Sequence, residues 1–91
     1  MREIVQSKTF KRDYKKVATS GRYSVHDFLT VVEMLANDEE LPHKYRDHIL
    51  SGDWANHREC HIKPDWLLIY KKTEENQLIL IRTGSHSELF S

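Results

Sequence analysis

Three strand-like runs in the last third of the chain limit the possible folds more than any other feature of the sequence. They span residues 56–63, 66–72 and 77–83. Short polar breaks separate them, and such breaks between runs rich in branched and aromatic residues are typical of hairpin turns. The second run is almost wholly apolar, which is typical of a central strand covered on both faces. The sequence therefore predicts three consecutive antiparallel strands.

A short strand and a first helix are predicted ahead of these runs. Residues 2–7 contain Ile4 and Val5, which favour a strand. From Lys8 onward, large apolar residues recur at the spacing of one helical face, while lysine and arginine occupy the other. Gly21 follows, and glycine readily takes the left-handed conformation that ends many helices.

A second amphipathic helix is predicted from Ser24, a favourable N-cap residue, to about Asn37. Residues 38–55 contain a proline and a glycine and are predicted to form a long irregular connection. The complete prediction is one α+β domain over residues 1–91. It consists of an N-terminal strand, a two-helix hairpin and a three-stranded antiparallel sheet, with the helices packed on one sheet face.

Cysteine content and hydropathy indicate the compartment. Cys60 is the single cysteine and cannot form an internal disulfide, which is typical of a reducing environment. No apolar run approaches the roughly 18 residues that a membrane-spanning helix needs, and the N-terminus lacks the apolar segment of a secretory signal. We therefore expect a cytoplasmic protein with no membrane partner.

The charges are distributed unevenly although the formal net charge is zero. Residues 1–23 carry seven Lys or Arg against two acids, whereas residues 24–40 carry five acids and no Lys or Arg. A basic N-terminal segment can attract nucleic acid, although most charged helix faces are simply solvated.

Five ionisable residues lie on loops or at the ends of predicted strands, where side chains can face a substrate. They are His48, His61, Asp65, Arg82 and His86. If they converge, one imidazole can accept a proton and another can donate one, while the arginine matches the geometry of a phosphate. Such a set without a metal motif favours acid-base cleavage of a phosphodiester. RNA suits this site because its 2′-hydroxyl is a built-in nucleophile.

Other interpretations compete with a catalytic site. A histidine is more often an ordinary polar residue than a catalyst. Zinc binding by His57, Cys60 and His61 is disfavoured because strand alternation directs Cys60 to the opposite face, so no metal and no cofactor is expected. Trp66 is predicted in the core, or else at the edge of the site, where its ring would stack on a base.

Four blocks of the sequence resemble the YafQ branch of the RelE/ParE toxin superfamily. They are residues 45–48 (Tyr-Arg-Asp-His), 50–54 (Leu-Ser-Gly-Asp-Trp), 58–70 and 82–90. The third block contains the pattern Arg-x-x-His-Ile-x-Pro-Asp-Trp, and the fourth contains Gly-Ser-His-x-x-Leu-Phe. Together these patterns separate YafQ-like toxins from other members of the superfamily.

The resemblance implies a ribosome-dependent endoribonuclease, or mRNA interferase, which is the toxin of a type II toxin–antitoxin pair. Such a toxin cleaves mRNA in the ribosomal A site, inhibits translation and is neutralised by a cognate antitoxin. The implied catalytic residues are the same five, and Phe90 is implied beside them. His86 is the implied general acid, Arg82 stabilises the phosphorane, and the base is one of Asp65, His48 and His61.

The implied partners are the antitoxin, mRNA and the 16S rRNA of the ribosome. Contacts to rRNA phosphates are expected from a basic face of the first helix, comprising Lys8, Lys11, Arg12, Lys15 and Lys16. Two alternatives remain open: a ParE-like toxin that inhibits DNA gyrase, and a catalytically inactive protein that only binds its antitoxin. ParE-like chains generally lack this set of histidines and aspartate.

Overall fold

The computed structural model describes residues 1–90 as one mixed α+β layer structure. Five strands and three helices follow one another, with single 3-10 turns at His43–Tyr45 and Gly52–Trp54. In chain order they are β1 Glu3–Gln6, α1 Lys8–Ser20, α2 Val25–Ala36, β2 His48–Ile49, β3 Arg58–Lys63, β4 Trp66–Lys72, β5 Gln77–Gly84 and α3 His86–Phe90. No helix within residues 1–90 is long and apolar enough to cross a membrane.

The sheet has five strands in the order β1-β5-β4-β3-β2. β3, β4 and β5 are antiparallel neighbours, as predicted, and β1 adds to β5 in parallel. The predicted class and the two-helix hairpin are confirmed. The sheet is larger than the predicted three-stranded one because β1 joins it at one edge and β2 at the other.

β2 corrects the prediction that residues 38–55 form an irregular connection. It contains two residues, both exposed, and pairs with β3 through its backbone. A strand this short has no period in its sequence, so its pairing depends on the position of β3. α3 was also missed, because five residues after the last strand are too few for a helical pattern.

The predicted helix ends are confirmed. The Ser7 hydroxyl accepts a hydrogen bond from the Phe10 amide at 2.9 Å and caps α1, and Ser24 caps α2 through the His26 amide at 3.1 Å. Gly21 ends α1 with φ at +72°. Both helices pack on the same sheet face.

The main core lies between this sheet face and the two helices. It contains Phe10 and Val17 from α1, a stripe of α2, and alternate residues of the central strands, including Trp66 and Leu68. A smaller apolar cluster lies on the other face, which we call the α3 face. Its buried residues are Leu67, Ile69 and Leu89. α3 therefore lies on the face opposite α1 and α2.

Candidate active site

The register of the sheet aligns three polar site residues in one row on the α3 face. His48 pairs with Glu59, Glu59 with Ile69, and Ile69 with Arg82. The row crosses four strands with Ile69 as its apolar member. A register irregularity next to Ile69 lies at its Arg82 end, and the Arg82 side chain reaches Asp13 of α1 there. Leu89 of α3 packs against Ile69 and Leu67, which brings α3 over the same face.

Two histidines meet at one buried carboxylate in this row. Nε2 of His48 lies 3.5 Å from Glu59 Oε1, and Nε2 of His61 lies 3.4 Å from the same oxygen. The Glu59 side chain is 5% exposed, whereas His48 is 49% exposed and His61 is 16% exposed. His48 is therefore the more accessible imidazole.

The remaining ring nitrogens face backbone carbonyls. His48 Nδ1 lies 2.7 Å from the Arg46 oxygen, and His61 Nδ1 lies 3.3 Å from the Pro64 oxygen. A carbonyl only accepts, so Nδ1 of each ring carries a proton in these contacts. Nε2 of each ring is left facing the Glu59 carboxylate.

Glu59 is a site residue that the sequence prediction did not select. Its second oxygen, Oε2, is buried and has no hydrogen-bond partner within residues 1–90. Strand alternation placed Glu59 on the face of His61, which was the available signal, but the pairing with His48 depends on β2. A buried carboxylate with one unpartnered oxygen costs stability, and functional sites are where such groups persist.

Asp65 lies in the turn between β3 and β4 and is paired with a residue of the α1–α2 connection. Arg22 Nη2 donates to Asp65 Oδ2 at 2.8 Å. A hydrogen bond from Tyr23 and the charge of Arg22 hold the pKa of the Asp65 carboxyl below its usual value. Arg22 also lies over the Tyr23 ring, 5.3 Å from its centroid. Asp65 is therefore an ionised, partnered carboxylate.

Arg82 is held by a second carboxylate that the sequence prediction did not select. Asp13 of α1 is 8% exposed and accepts from Arg82 Nε at 2.8 Å and from Nη2 at 3.0 Å. These hydrogen bonds raise the pKa of the Arg82 guanidinium further above its usual value. No local sequence pattern links positions that are 69 residues apart, so the sequence alone placed Asp13 on the charged surface of the helix.

Asp65 and Arg82 line the same open cavity of about 380 Å³. Lys16, Arg22 and Glu88 also line it. The cavity lies between the end of α1, the β3–β4 turn and the start of α3. It can admit part of an extended polar chain such as a nucleotide.

His86 begins α3 and is exposed, with its ring centroid 5.0 Å from that of Phe90. The Phe90 ring contacts Trp54 at 6.4 Å, edge to face. α3 is fixed at its start because Glu88 Oε1 accepts from the Ser85 amide at 2.7 Å. The predicted residues thus form three groups, His48 with His61, Asp65 with Arg82, and His86 with Phe90.

Trp66 lies in the core, in agreement with one of its two predicted positions. It is 1% exposed, and its ring stacks on Tyr23 with the centroids 4.7 Å apart. Its indole N–H donates to Thr83 Oγ1 at 2.8 Å. The predicted stacking of a base on Trp66 is wrong for this conformation because protein groups cover the ring.

The predicted basic face of α1 is exposed to solvent. Its members are Lys8, Lys11, Arg12, Lys15 and Lys16.

Cys60 is fully buried on the helix side of β3, so it does not face His61, as strand alternation predicts. Within residues 1–90 no group of three or more His, Cys, Asp or Glu side chains is arranged to hold a metal ion.

Comparisons with known proteins identify relatives of the whole chain. Residues 2–91 match the family described as "Bacterial toxin of type II toxin-antitoxin system, YafQ". The mRNA interferase toxin YafQ of Escherichia coli K12 is 37% identical over 90 residues, covering 98% of this chain and 96% of the relative.

Solved structures share the fold over their full length. A metal-bound toxin from Helicobacter pylori is 45% identical with a TM-score of 0.93, covering 99% of this chain and 100% of the other. YafQ from the E. coli DinJ–YafQ complex is 36% identical with a TM-score of 0.86, and each chain is covered completely. Identity and coverage of this extent show common ancestry as well as a common fold.

Proposed function

The chain belongs to the YafQ family of toxins from bacterial type II toxin–antitoxin systems, and we propose that it is an endoribonuclease that cleaves mRNA on the ribosome. A relative at 37% identity is named an mRNA interferase. The observation that carries the proposal is the row on the α3 face, where two imidazoles flank a buried carboxylate and an arginine follows in register. These groups supply proton transfer and phosphate binding without a cofactor.

The reaction uses the 2′-hydroxyl of the RNA. A base removes the hydroxyl proton as the oxygen attacks the adjacent phosphorus, and the P–O5′ bond breaks while an acid protonates the departing oxygen. The products are a 2′,3′-cyclic phosphate and a 5′-hydroxyl. The protein must therefore supply a base, an acid and a positive charge for the phosphorane.

His48 is the proposed base. It is more exposed than His61, and its Nδ1 proton is held by the Arg46 carbonyl, so Nε2 is the nitrogen that exchanges a proton. Glu59 stabilises the imidazolium that forms. Asp65 is a weaker base because Tyr23 and Arg22 lower the pKa of its carboxyl. Its proposed role is to position the substrate together with Arg22.

Arg82 is the residue proposed to bind and stabilise the phosphorane oxygens, because its guanidinium stays charged and presents its N–H donors in one plane. His86 is the proposed acid. It lies at the exposed start of α3, and Phe90 packs against its ring. Phe90 is also the aromatic surface proposed to contact a base.

The proposed partners are the mRNA, the ribosome and an antitoxin. The exposed basic face of α1 suits contacts with phosphates of 16S rRNA, which weaken as salt concentration rises. A family relative is found in complex with the antitoxin DinJ, so a cognate antitoxin is proposed for this chain.

The test is primer extension on an mRNA translated in a purified system. We expect cuts in codon register with the wild-type chain, none without ribosomes, and a loss of at least about 100-fold with His86→Ala, which removes the acid. The transition-metal chelator 1,10-phenanthroline should leave the cuts unchanged, because no step uses a metal.

The matched control is His26→Ala, which removes an exposed histidine of α2. It should cut like the wild type. Folded wild-type protein that cuts nothing with ribosomes present would contradict the proposed activity. A His86→Ala variant that cuts normally would contradict only the role of His86.

A further inference from the structure

We propose that Asp13 is a positioning residue that holds Arg82 in the orientation that binds the scissile phosphate. The proposal rests on the nuclease function proposed above and adds to that site a residue from α1. Within residues 1–90 the Asp13 side chain bonds Arg82 and Thr83 and neither His48 nor His61, so it would act through Arg82.

The contact is a bidentate ion pair between the buried Asp13 carboxylate and the half-buried Arg82 guanidinium. Asp13 Oδ2 lies 2.8 Å from Arg82 Nε, and Oδ1 lies 3.0 Å from Nη2. The Asp13 side chain is 9% exposed and that of Arg82 is 28% exposed. Two parallel hydrogen bonds fix the plane of the guanidinium as well as its position. A single hydrogen bond would leave the guanidinium free to rotate about that bond.

The two hydrogen bonds to Asp13 use the Nε and Nη2 donors of the Arg82 guanidinium and leave its other donors available. An arginine has five N–H groups, of which Nε supplies one and Nη2 one to Asp13. The three others, on Nη1 and Nη2, have no hydrogen-bond partner within residues 1–90. Arg82 lines the 380 Å³ cavity together with Asp65. A phosphate in that cavity would meet a guanidinium that is already oriented.

A purely structural role for Asp13 must be separated from positioning. β1 pairs with β5 only as far as Leu80, so the next part of that edge has no strand neighbour. Side chains take over there: Ser7 donates to the Ile81 oxygen at 2.9 Å, and Asp13 Oδ2 accepts from the Thr83 amide at 3.2 Å. Asp13 therefore also completes the edge of β5.

Asp13→Asn distinguishes the two roles because the amide keeps one oxygen for the Thr83 amide while the charge and the second acceptor for Arg82 are lost. We expect a melting temperature within a few degrees of the wild type and a loss of about 10- to 100-fold in mRNA cleavage, because a misplaced catalytic group costs about that much. Asp38→Asn is the matched control, since Asp38 binds Arg2 and Lys72 at the far end of the sheet. It should cut like the wild type.

The decisive measurement combines Asp13→Asn with Arg82→Ala. If Asp13 acts through Arg82, the double variant cuts no more slowly than Arg82→Ala alone. Millimolar guanidinium should partly restore cleavage by Arg82→Ala, since Asp13 can still bind the cation, and should not restore the double variant. A structural role for Asp13 predicts neither result.

Wild-type cleavage rates for Asp13→Asn would overturn the proposal. The proposal would also be overturned if Asp13→Asn reduced mRNA cleavage by the same factor in the wild-type chain and in the Arg82→Ala variant. Unchanged cleavage by Arg82→Ala would overturn it together with the proposed role of Arg82. Absence of cleavage by the wild-type chain would instead remove the nuclease function itself, so the two failures are distinct.

Discussion

At the residue scale, Glu59 combines a cost in stability with a proposed role in the site. It is buried, one oxygen has no partner within the described chain, and both neighbouring imidazoles direct Nε2 at the other oxygen. A buried unsatisfied oxygen costs about 1–3 kcal/mol. The mechanism proposed above explains this cost, because the carboxylate would stabilise the imidazolium formed in the proposed proton transfer.

Glu59→Gln should separate activity from stability. The amide is uncharged and can donate to Nε2 of a neutral histidine, so at pH 8 we expect the free energy of unfolding to be unchanged or about 1 kcal/mol higher. Cleavage should fall about 10-fold or more because the imidazolium loses its counter-charge. Urea denaturation and primer extension measure the two effects.

Glu33→Gln provides the control for this variant, since Glu33 is exposed on α2 and lies outside the site. Its stability and cleavage should match the wild type. Glu59→Gln that cleaves at the wild-type rate would show that the carboxylate has no part in the reaction.

At the scale of elements, α3 is the part whose placement depends most on local geometry. Gly84 precedes it with φ at +153°, a conformation that residues with a side chain rarely adopt. A Cβ on Gly84 would lie 3.0 Å from Glu88 Oε1, the atom that accepts from the Ser85 amide. Gly84 thus permits the close turn from β5 into α3.

Gly84→Ala should therefore displace the start of α3. We expect a loss of about 1–3 kcal/mol in the free energy of unfolding from backbone strain, and a larger loss of cleavage than this destabilisation explains, because His86 moves with the helix. Thermal denaturation and primer extension are compared with Ser87→Ala, a change at an exposed position of the same helix. Equal behaviour of the two variants would contradict the proposed role of Gly84.

The prediction of elements from sequence succeeded where the pattern is long and failed where it is short. The hairpin helices have capping residues and several turns of apolar spacing, and β4 and β5 contain apolar runs of five and four residues. β2 and α3 have two and five residues. These short elements carry His48, His86 and Phe90, so the positions of half of the proposed site could not follow from periodicity.

At the scale of the whole molecule, the basic face of α1 and the main core lie on opposite sides of that helix. The basic face of α1 is exposed, and α1 contributes Phe10 and Val17 to the core on its other side. Cys60 lies at the centre of that core with no exposed surface, and burial raises the pKa of its thiol far above the usual value. A thiol in this environment is not nucleophilic.

Cys60 should therefore report global unfolding. We expect iodoacetamide at pH 8 to modify the native protein only as fast as the chain unfolds, and to modify the urea-unfolded protein within minutes, because only the thiolate reacts. Mass spectrometry counts the adduct. Rapid stoichiometric labelling of the native protein, at a rate independent of stabilising salt, would contradict the burial of Cys60.

The sequence alone determined the fold class, the caps, the central hairpins and the family, because each depends on residues that are close together in the chain. Tertiary structure decided which polar residues lie together. Glu59 meets His48 through strand register, and Asp13 meets Arg82 across 69 positions. Such contacts depend on how packed elements are placed in space, and no local pattern of residues encodes that placement.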